Sequence, residues 1–415
     1  MNYTGILCGN FSTNAMHINV AETDKRWKLI VKNEQERSAG YNYYSRKFYD
    51  FSYGDGKYDG IVRYEMSLDK DIYINIRGKD YPISIKRLCL YECPLNIMLF
   101  SINVDLVSDN IDEITLVMSQ LRNIISDCSN DDNIREYYDA AIKPIVDIYR
   151  KYSLYNHGDA TNLVEYGNKL RLFQILEVEN FDTFDKDMML YKLGTLSLIN
   201  NDKLSDPMSP SQEYYNSILN DNKISIFNNW TALSLFDTFS IIGCYIHAST
   251  RDNWINNYFG MIYISQIFAK FFLARLNERY NVEEKKRKDL VNNYENFECN
   301  FMWSEISYNF LPRIILDKMS MSLKIAGEKE SIYQKITRQK QYREKITDNR
   351  MNKLLFIMTC FTMSSAIWDA SCMLNEMYPF GDYLNSSYYG FRLTGFALMI
   401  TMLIVIMIVL RRSRK

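Results

Sequence analysis

The residues whose types and spacing could do chemistry form one stripe near the C-terminal end of the chain. They follow one another at intervals of three and four positions, so a helix would place them on a single face. The stripe consists of Asn352, Leu355, Met358, Thr362, Ala366 and Asp369. Because a carboxylate inside a membrane span costs about 3 kcal/mol unless it meets water or a partner, Asp369 is expected to face an aqueous path for cations. The alternative is that Asp369 lies high enough to reach water at the membrane surface.

Most of the stripe lies within the first of two apolar segments, 354–374 and 393–410. Each has about 20 residues, the length that crosses a hydrocarbon core of ~30 Å. Basic residues flank the pair on one side only, with Arg350 and Lys353 before the first segment and four basic residues in 411–415 after the second. This asymmetry places both termini in the cytoplasm. We therefore expect a multi-pass protein of the bacterial inner (cytoplasmic) membrane, in contact with the lipid bilayer.

The two segments cannot enclose a pore by themselves, so several copies must do so. A homo-oligomeric ring is expected, with the first helix of each copy inside and the second outside. Such a ring would bring one Asp369 per subunit around the axis.

Charge and composition argue against several other functions. The 415 residues include 49 basic and 50 acidic ones, a balance that is unfavourable for direct nucleic-acid binding. The three histidines, His17, His157 and His247, are far apart, and no Ser, Cys or His pattern indicates a catalytic triad, so no enzyme is expected. The eight cysteines occur singly, without the pattern of zinc ligands, as in a reducing cytosol. No cofactor is indicated with certainty; a divalent cation such as magnesium remains open.

The segments that must position the stripe predict an α+β protein. Period-two alternation or apolar runs predict strands at 71–77, 83–91, 95–107 and 171–178, and helical spacing predicts a helix at 109–126.

A further apolar helix is predicted at 254–280, with Asn256 and Asn257 at its start. It is nearly long enough to span a bilayer. Because Gln266, Lys270 and Arg275 interrupt it, we expect it to be buried in the body instead.

One long helix is predicted to follow, beginning near Pro312 and running without another proline until Pro379, with Gly327 as its weakest point. Its length of about 90 Å indicates a stalk that enters the membrane. The expected organisation is a cytoplasmic α/β domain over 1–250, a helical region and stalk over 251–350, and a transmembrane hairpin with a basic tail over 351–415.

The stretch Asn349-Arg350-Met351-Asn352-Lys353, followed by Leu354, Leu355 and Thr359, resembles the entry to the first span in the CorA family of divalent-cation channels. The resemblance implies a pentamer and a CorA-like fold with two C-terminal transmembrane helices. It also places Asn352, Leu355, Met358, Ala366 and Asp369 among the pore-lining positions. The family's Gly-Met-Asn motif at the outer mouth is replaced by Glu376-Met377-Tyr378.

Loss of that motif puts classical magnesium uptake in doubt. CorA-like proteins without it include ancillary effectors of type III CRISPR systems. The resemblance thus implies a ligand-gated pore in bacterial antiviral defence, responding to a nucleotide second messenger such as an S-adenosylmethionine-AMP conjugate. The alternatives are a divergent transporter of magnesium or other divalent cations, which would use Glu376 and Asp369, and a membrane-tethered enzyme.

Overall fold

A computed structural model describes most of the chain. The described residues are 1–14, 18, 20–54, 60–123, 134–154, 163–165, 169–181, 185–197, 209–282, 286–303, 305–377, 397, 400, 401 and 404. The chain divides into two units, Met1–Ile332 and Tyr333–Lys415.

A mixed sheet of nine strands organises the first unit, in the order β2-β3-β4-β5-β1-β6-β9-β8-β7. The strands are β1 Asn2–Ser12, β2 Lys28–Ile30, β3 Val62–Ile76, β4 Lys79–Cys93, β5 Ile97–Val107, β6 Arg171–Val178, β7 Lys223–Ile224, β8 Trp230–Ser234 and β9 Thr238–Cys244. Neighbours run antiparallel except for β6 and β9, which are parallel. The four predicted strands are confirmed within β3, β4, β5 and β6.

Helices accompany the sheet in the described part of the first unit. They are α1 Val20–Thr23, α2 Glu34–Tyr41, α3 Arg46–Ser52, α4 Ile111–Leu121, α5 Arg135–Tyr137, α6 Lys143–Tyr152, α7 Lys186–Thr195, α8 Gln212–Asn222, α9 Ala248–Asn253, α10 Ile264–Val282, α11 Arg287–Phe301 and α12 Phe310–Ser322. Two π-helical segments, Tyr138–Ile142 and Trp254–Tyr263, connect α5 to α6 and α9 to α10. The helix predicted at 109–126 is α4.

Helices cover both faces of the sheet, because successive side chains of a strand point to opposite sides. On one face, Leu172 belongs to a buried cluster that includes Ile114 of α4 and Leu190 of α7. On the other face, its neighbour Phe173 packs against Phe259, with ring centroids 5.4 Å apart. The segment 248–282 therefore forms the cover of the second face.

This covering helix is the one predicted to be buried, and the prediction is confirmed. It is the one helix in the described part of the chain with the length and hydropathy of a membrane span, and 89% of its apolar window is buried in the protein. Its charged residues have partners: Lys270 forms an ion pair with Glu328, and Arg275 donates to the carbonyl of Asn96 at 3.0 Å and to Ser12 Oγ at 3.2 Å. Paired charges of this kind suit a protein interior.

We expect Arg275→Met to destabilise the first unit by about 2–4 kcal/mol, since the carbonyl groups it serves would lose a charged donor in the interior. Thermal unfolding of the purified protein measures the loss. Glu278→Gln, an exposed change on the same helix, is the control and should alter stability by less than about 0.5 kcal/mol. Equal melting temperatures for the two variants would contradict the structural role of Arg275.

The long C-terminal helix is α13, Ile325–Met377, and it begins later than predicted. The chain between Pro312 and α13 breaks at Lys324, which has a φ of 55°. Gly327, the expected weak point, lies inside α13. The position of the break was predicted wrongly because Lys324 adopts the left-handed conformation, whereas the sequence offered only glycine and proline as indicators of a break.

The predicted fold class was also wrong in its C-terminal part. The structure is an α+β fold on a nine-stranded mixed sheet, and the single span-like helix among the described residues is the buried 248–282. The segment 354–374 is the end of α13, where Thr359, Ser364 and Asp369 interrupt the apolar residues. No second C-terminal span occurs among the described residues; the expected segment 393–410 lies outside them except for 397, 400, 401 and 404.

Candidate functional site

A cavity of about 420 Å³ lies on the sheet face that the helix 248–282 covers. Its floor is formed by β3, β4 and β5, and its wall by α9 and the π-helical segment Trp254–Tyr263. Polar lining residues are Lys32, Arg63, Glu65, Arg87, Asn103, Asp252, Asn253, Asn256 and Asn257, and aromatic ones are Tyr49, Tyr53, Tyr64, Tyr91 and Phe259. This size and mixture are typical of small-molecule sites.

Arg63 of β3 is the most buried charge in this lining, at 7% exposure. Its Nε donates to the Ser52 carbonyl at 2.7 Å, and its Nη2 donates to the Gly260 carbonyl at 2.6 Å. The guanidinium also lies 4.0 Å from the centroid of the Tyr53 ring. No carboxylate among the described residues comes within 4.0 Å of it in an ion pair. Arg63 thus joins the sheet to the π-helical segment while keeping an uncompensated charge at the cavity.

Asn103 of β5 contributes a buried amide, at 6% exposure. Its Oδ1 has no hydrogen-bond partner in the described structure. Asn103 lies opposite Arg87 in the β4–β5 pairing. A buried polar atom without a partner calls for an explanation, and a missing ligand or water is the usual one.

A second arginine is already neutralised. Arg87 Nη1 lies 3.2 Å from Glu65 Oε2 across β3 and β4, and both side chains are partly exposed. An exposed pair of this kind contributes little to stability. It makes the cavity edge polar, and leaves Arg63 as the buried cation.

Burial keeps the phenols of Tyr49, Tyr64 and Tyr91 and the thiol of Cys89 neutral. Burial raises the pKa of Tyr49 to about 12 and that of Tyr64 to about 12. Burial likewise raises the pKa of Tyr91 well above its usual value, and that of Cys89 above the value of a free thiol. Tyr64 belongs to the buried cluster on the opposite face of the sheet, and its hydroxyl donates to the Ile18 carbonyl. The hydroxyl of Tyr49 donates to the Glu36 carbonyl and that of Tyr91 lies 3.4 Å from Ser101 Oγ, so these two tyrosines offer ring atoms to the cavity.

The π-helical segment shapes the wall of the cavity. Gly260 allows close approach there, because an added Cβ would lie 3.2 Å from Arg63 Nη1. One turn earlier, Asn257 Nδ2 donates to Asn253 Oδ1 at 2.5 Å. π-helical turns are rare, and they are frequently found at functional sites.

The same continuous helix contacts the start of α13. Lys270 Nζ lies 2.7 Å from Glu328 Oε1, and Asn277 Nδ2 donates to Glu328 Oε2 at 2.7 Å. Ser331 adds a hydrogen bond to Asn277 Oδ1 at 3.1 Å. These contacts would therefore transmit a movement of the cavity wall to the first turns of α13.

The residues predicted to line a pore all lie on α13 and are exposed in the single chain. Met358 is 65% exposed, and Phe361, which lies off the predicted face, is also 65% exposed. Thr362 Oγ1 donates to the Met358 carbonyl at 3.1 Å. Apolar residues thus surround this part of the helix. Glu376 of the predicted outer mouth belongs to α13, and Tyr378 lies outside the described residues.

Sequence reasoning missed the cavity. Arg63, Asn103 and Gly260 come from segments far apart in the chain, and only the strand pairing brings them together. Two signals were visible: Asn103 interrupts the apolar run 95–107, and Asn256 and Asn257 begin an otherwise apolar helix.

No metal site accompanies the cavity in the part of the chain that the structure describes, where no three His, Cys, Asp or Glu side chains are grouped to hold an ion. A role for magnesium therefore stays a prediction.

Comparisons with protein-family models, with curated proteins and with solved structures found no match. A function for this protein must therefore be argued from the positions and contacts of its own residues.

Proposed function

We propose that this protein is a ligand-gated membrane channel assembled from several copies of the chain. The observation that carries the proposal is the exposed apolar surface of α13 beyond residue 350, where Leu355, Met358 and Phe361 are all open to solvent in one chain. Apolar side chains on every side of a helix need cover from protein or lipid. In a ring of copies, the inner side of α13 would face a pore and the outer side would face lipid.

The composition of α13 supports this division. Its polar residues would be costly if they faced lipid, but a ring places the stripe that ends at Asp369 inside. The proposal requires only α13 to enter the membrane from each copy. By resemblance to the CorA family, the ring would contain five copies.

Gating is proposed to begin in the first unit. Ligand binding at the cavity would shift the helix 248–282, and Lys270 and Asn277 would pass this shift to Glu328 and Ser331 at the start of α13. A small rotation of α13 would then rewet a closed apolar ring at Leu355 and Met358. A role in antiviral defence, with a nucleotide messenger as the signal, extends this proposal by resemblance alone.

We expect Asp369→Ala to reduce the preference of the open channel for cations over anions by roughly tenfold, because a ring of carboxylates at the pore would be lost. Ion flux from liposomes, measured with and without added nucleoside monophosphates, tests this. Asp317→Ala is the control, since Asp317 is an exposed carboxylate on α12, outside α13. Unchanged selectivity in Asp369→Ala would remove this stripe from the pore.

A second candidate function is constitutive transport of divalent cations. It is favoured by the spacing of Asp369 and Glu376, which lie two helical turns apart on α13 and supply hard oxygen ligands. Steady magnesium flux without any nucleotide would support it over the gated channel.

A further inference from the structure

We propose that the cavity beside Arg63 binds a small anion that carries a planar ring, with Arg63 and Asn103 as its two polar contacts. The claim that this ligand opens the channel rests on the proposed function. The claim that the cavity binds it does not.

The charge of the cavity favours an anion. Three cationic side chains, Lys32, Arg63 and Arg87, line it against two carboxylates, Glu65 and Asp252. The exposed members are partly neutralised, since Arg87 pairs with Glu65 and Lys32 pairs with Glu36. Two lining charges remain, the exposed carboxylate of Asp252 and the guanidinium of Arg63. Only Arg63 is buried, and its hydrogen bonds go to neutral carbonyl groups.

A buried guanidinium is costly to desolvate, and carbonyl groups compensate for it only in part. A ligand carboxylate or phosphate would supply the missing countercharge. The planar fork of arginine suits both groups, because each presents paired oxygen atoms.

The aromatic lining favours a planar ring in the ligand. Tyr53 and Tyr91 already flank Arg63, with the guanidinium 4.0 Å and 5.5 Å from their ring centroids. Phe259 packs edge-on against Tyr91, at 6.5 Å between centroids. Neutral rings arranged around a cavity of this size offer stacking surfaces for a base or a similar ring.

Asn103 supplies the third feature, a buried amide oxygen that has no hydrogen-bond partner among the described residues. A carboxamide oxygen is an acceptor, so Asn103 Oδ1 could accept a hydrogen bond from an N–H group on the edge of a heterocyclic ligand. Because its Oδ1 has no partner among the described residues, Asn103→Ala breaks no hydrogen bond at that oxygen.

The experiment is calorimetric titration of the purified full-length chain in detergent. The probes are AMP, 4-hydroxybenzoate, inorganic phosphate and adenosine. We expect AMP or 4-hydroxybenzoate to bind at least tenfold more tightly than both phosphate and adenosine, because only the first two combine a ring with a negative charge. The better of the two identifies whether the anion is a phosphate or a carboxylate.

The variants locate the site. We expect Arg63→Gln to weaken binding by roughly 10- to 100-fold, the range of a lost charge-assisted hydrogen bond, and Asn103→Ala by roughly fivefold to tenfold. Arg77→Gln, which removes an exposed cation from the β3–β4 turn, should bind like the wild type. If Arg63→Gln fails to fold, as judged by its melting temperature, Asn103→Ala still tests the site.

Binding of phosphate as tight as that of AMP would overturn the need for a ring. Equal binding of adenosine and AMP would overturn the role of Arg63 as an anion contact. Absence of binding by every probe, or binding that neither variant weakens, would overturn the site. Each of these results is independent of flux, so a cavity that binds AMP in a protein without channel activity would count against the proposed function alone.

Discussion

Met358→Asn is expected to leave the channel open without any ligand, with at least tenfold higher flux than the wild type. The closed state is proposed to depend on a ring of apolar side chains at Leu355 and Met358, from which water withdraws. A carboxamide at this position would hold water in the constriction. A change of about 1.4 kcal/mol in the balance between closed and open states is already a tenfold change in their ratio.

The matched control is Phe361→Asn. Phe361 has the same exposed fraction as Met358, 65%, but lies three residues further along α13 and outside the predicted stripe. The same amide at this position should leave the channel closed. Equal leakage from the two variants would indicate a general disturbance of α13, and a tight Met358→Asn variant would exclude an apolar gate at this residue.

Glu328→Gln is expected to separate ligand binding from channel opening. Glu328 is the residue of α13 that both Lys270 and Asn277 contact, at 2.7 Å each. Without its charge, the buried ammonium of Lys270 loses its partner, and movement of the cavity wall no longer pulls on α13. Ligand-evoked flux should fall at least tenfold, while the Kd of AMP should change by less than about threefold.

Lys329→Gln is the control for this prediction. The adjacent pair of Lys329 and Glu298 is equally close, at 2.6 Å, but both side chains are exposed, so its loss should leave gating unchanged. Exchanging the charges in Lys270→Glu with Glu328→Lys should restore part of the evoked flux. Normal gating in Glu328→Gln would show that this contact does not transmit the signal.

Local sequence patterns were sufficient to predict the strands of much of the sheet. The strand predicted at 171–178 has the same limits as β6, and the apolar run at 95–107 contains β5. These segments are rich in apolar residues and end at polar ones, so the pattern and the tertiary structure agree. The burial of 248–282 was also predictable, because the internal charges Lys270 and Arg275 require partners that lipid does not provide.

Other features depended on contacts that a local pattern does not contain. The N-terminal β1 lies between β5 and β6 in the middle of the sheet, yet Thr4, Asn10 and Ser12 interrupt its apolar residues. Distant residues satisfy two of these polar groups: Thr4 Oγ1 donates to Asp105 at 2.7 Å, and Ser12 Oγ donates to Glu165 at 2.7 Å. Only the folded chain brings those partners together.

One candidate site was predictable from local sequence spacing, and the other was not. Spacing alone selected the stripe on α13, since its residues are neighbours on one helix. The cavity required β3, β4, β5 and the helix 248–282 to meet, and its two most informative groups, Arg63 and Asn103, are notable only once they are seen to be buried. The pair of C-terminal spans was inferred from hydropathy and resemblance, and the nine-stranded α+β fold replaces that picture.

The most direct measurement is the recording of single-channel currents from purified Met358→Asn protein in planar lipid bilayers, with Phe361→Asn recorded alongside. It needs no ligand, so it tests the channel itself. The account predicts discrete unitary current steps from Met358→Asn and a silent membrane with Phe361→Asn. Membranes that stay silent with both variants, although the protein has inserted, would contradict a pore lined by α13.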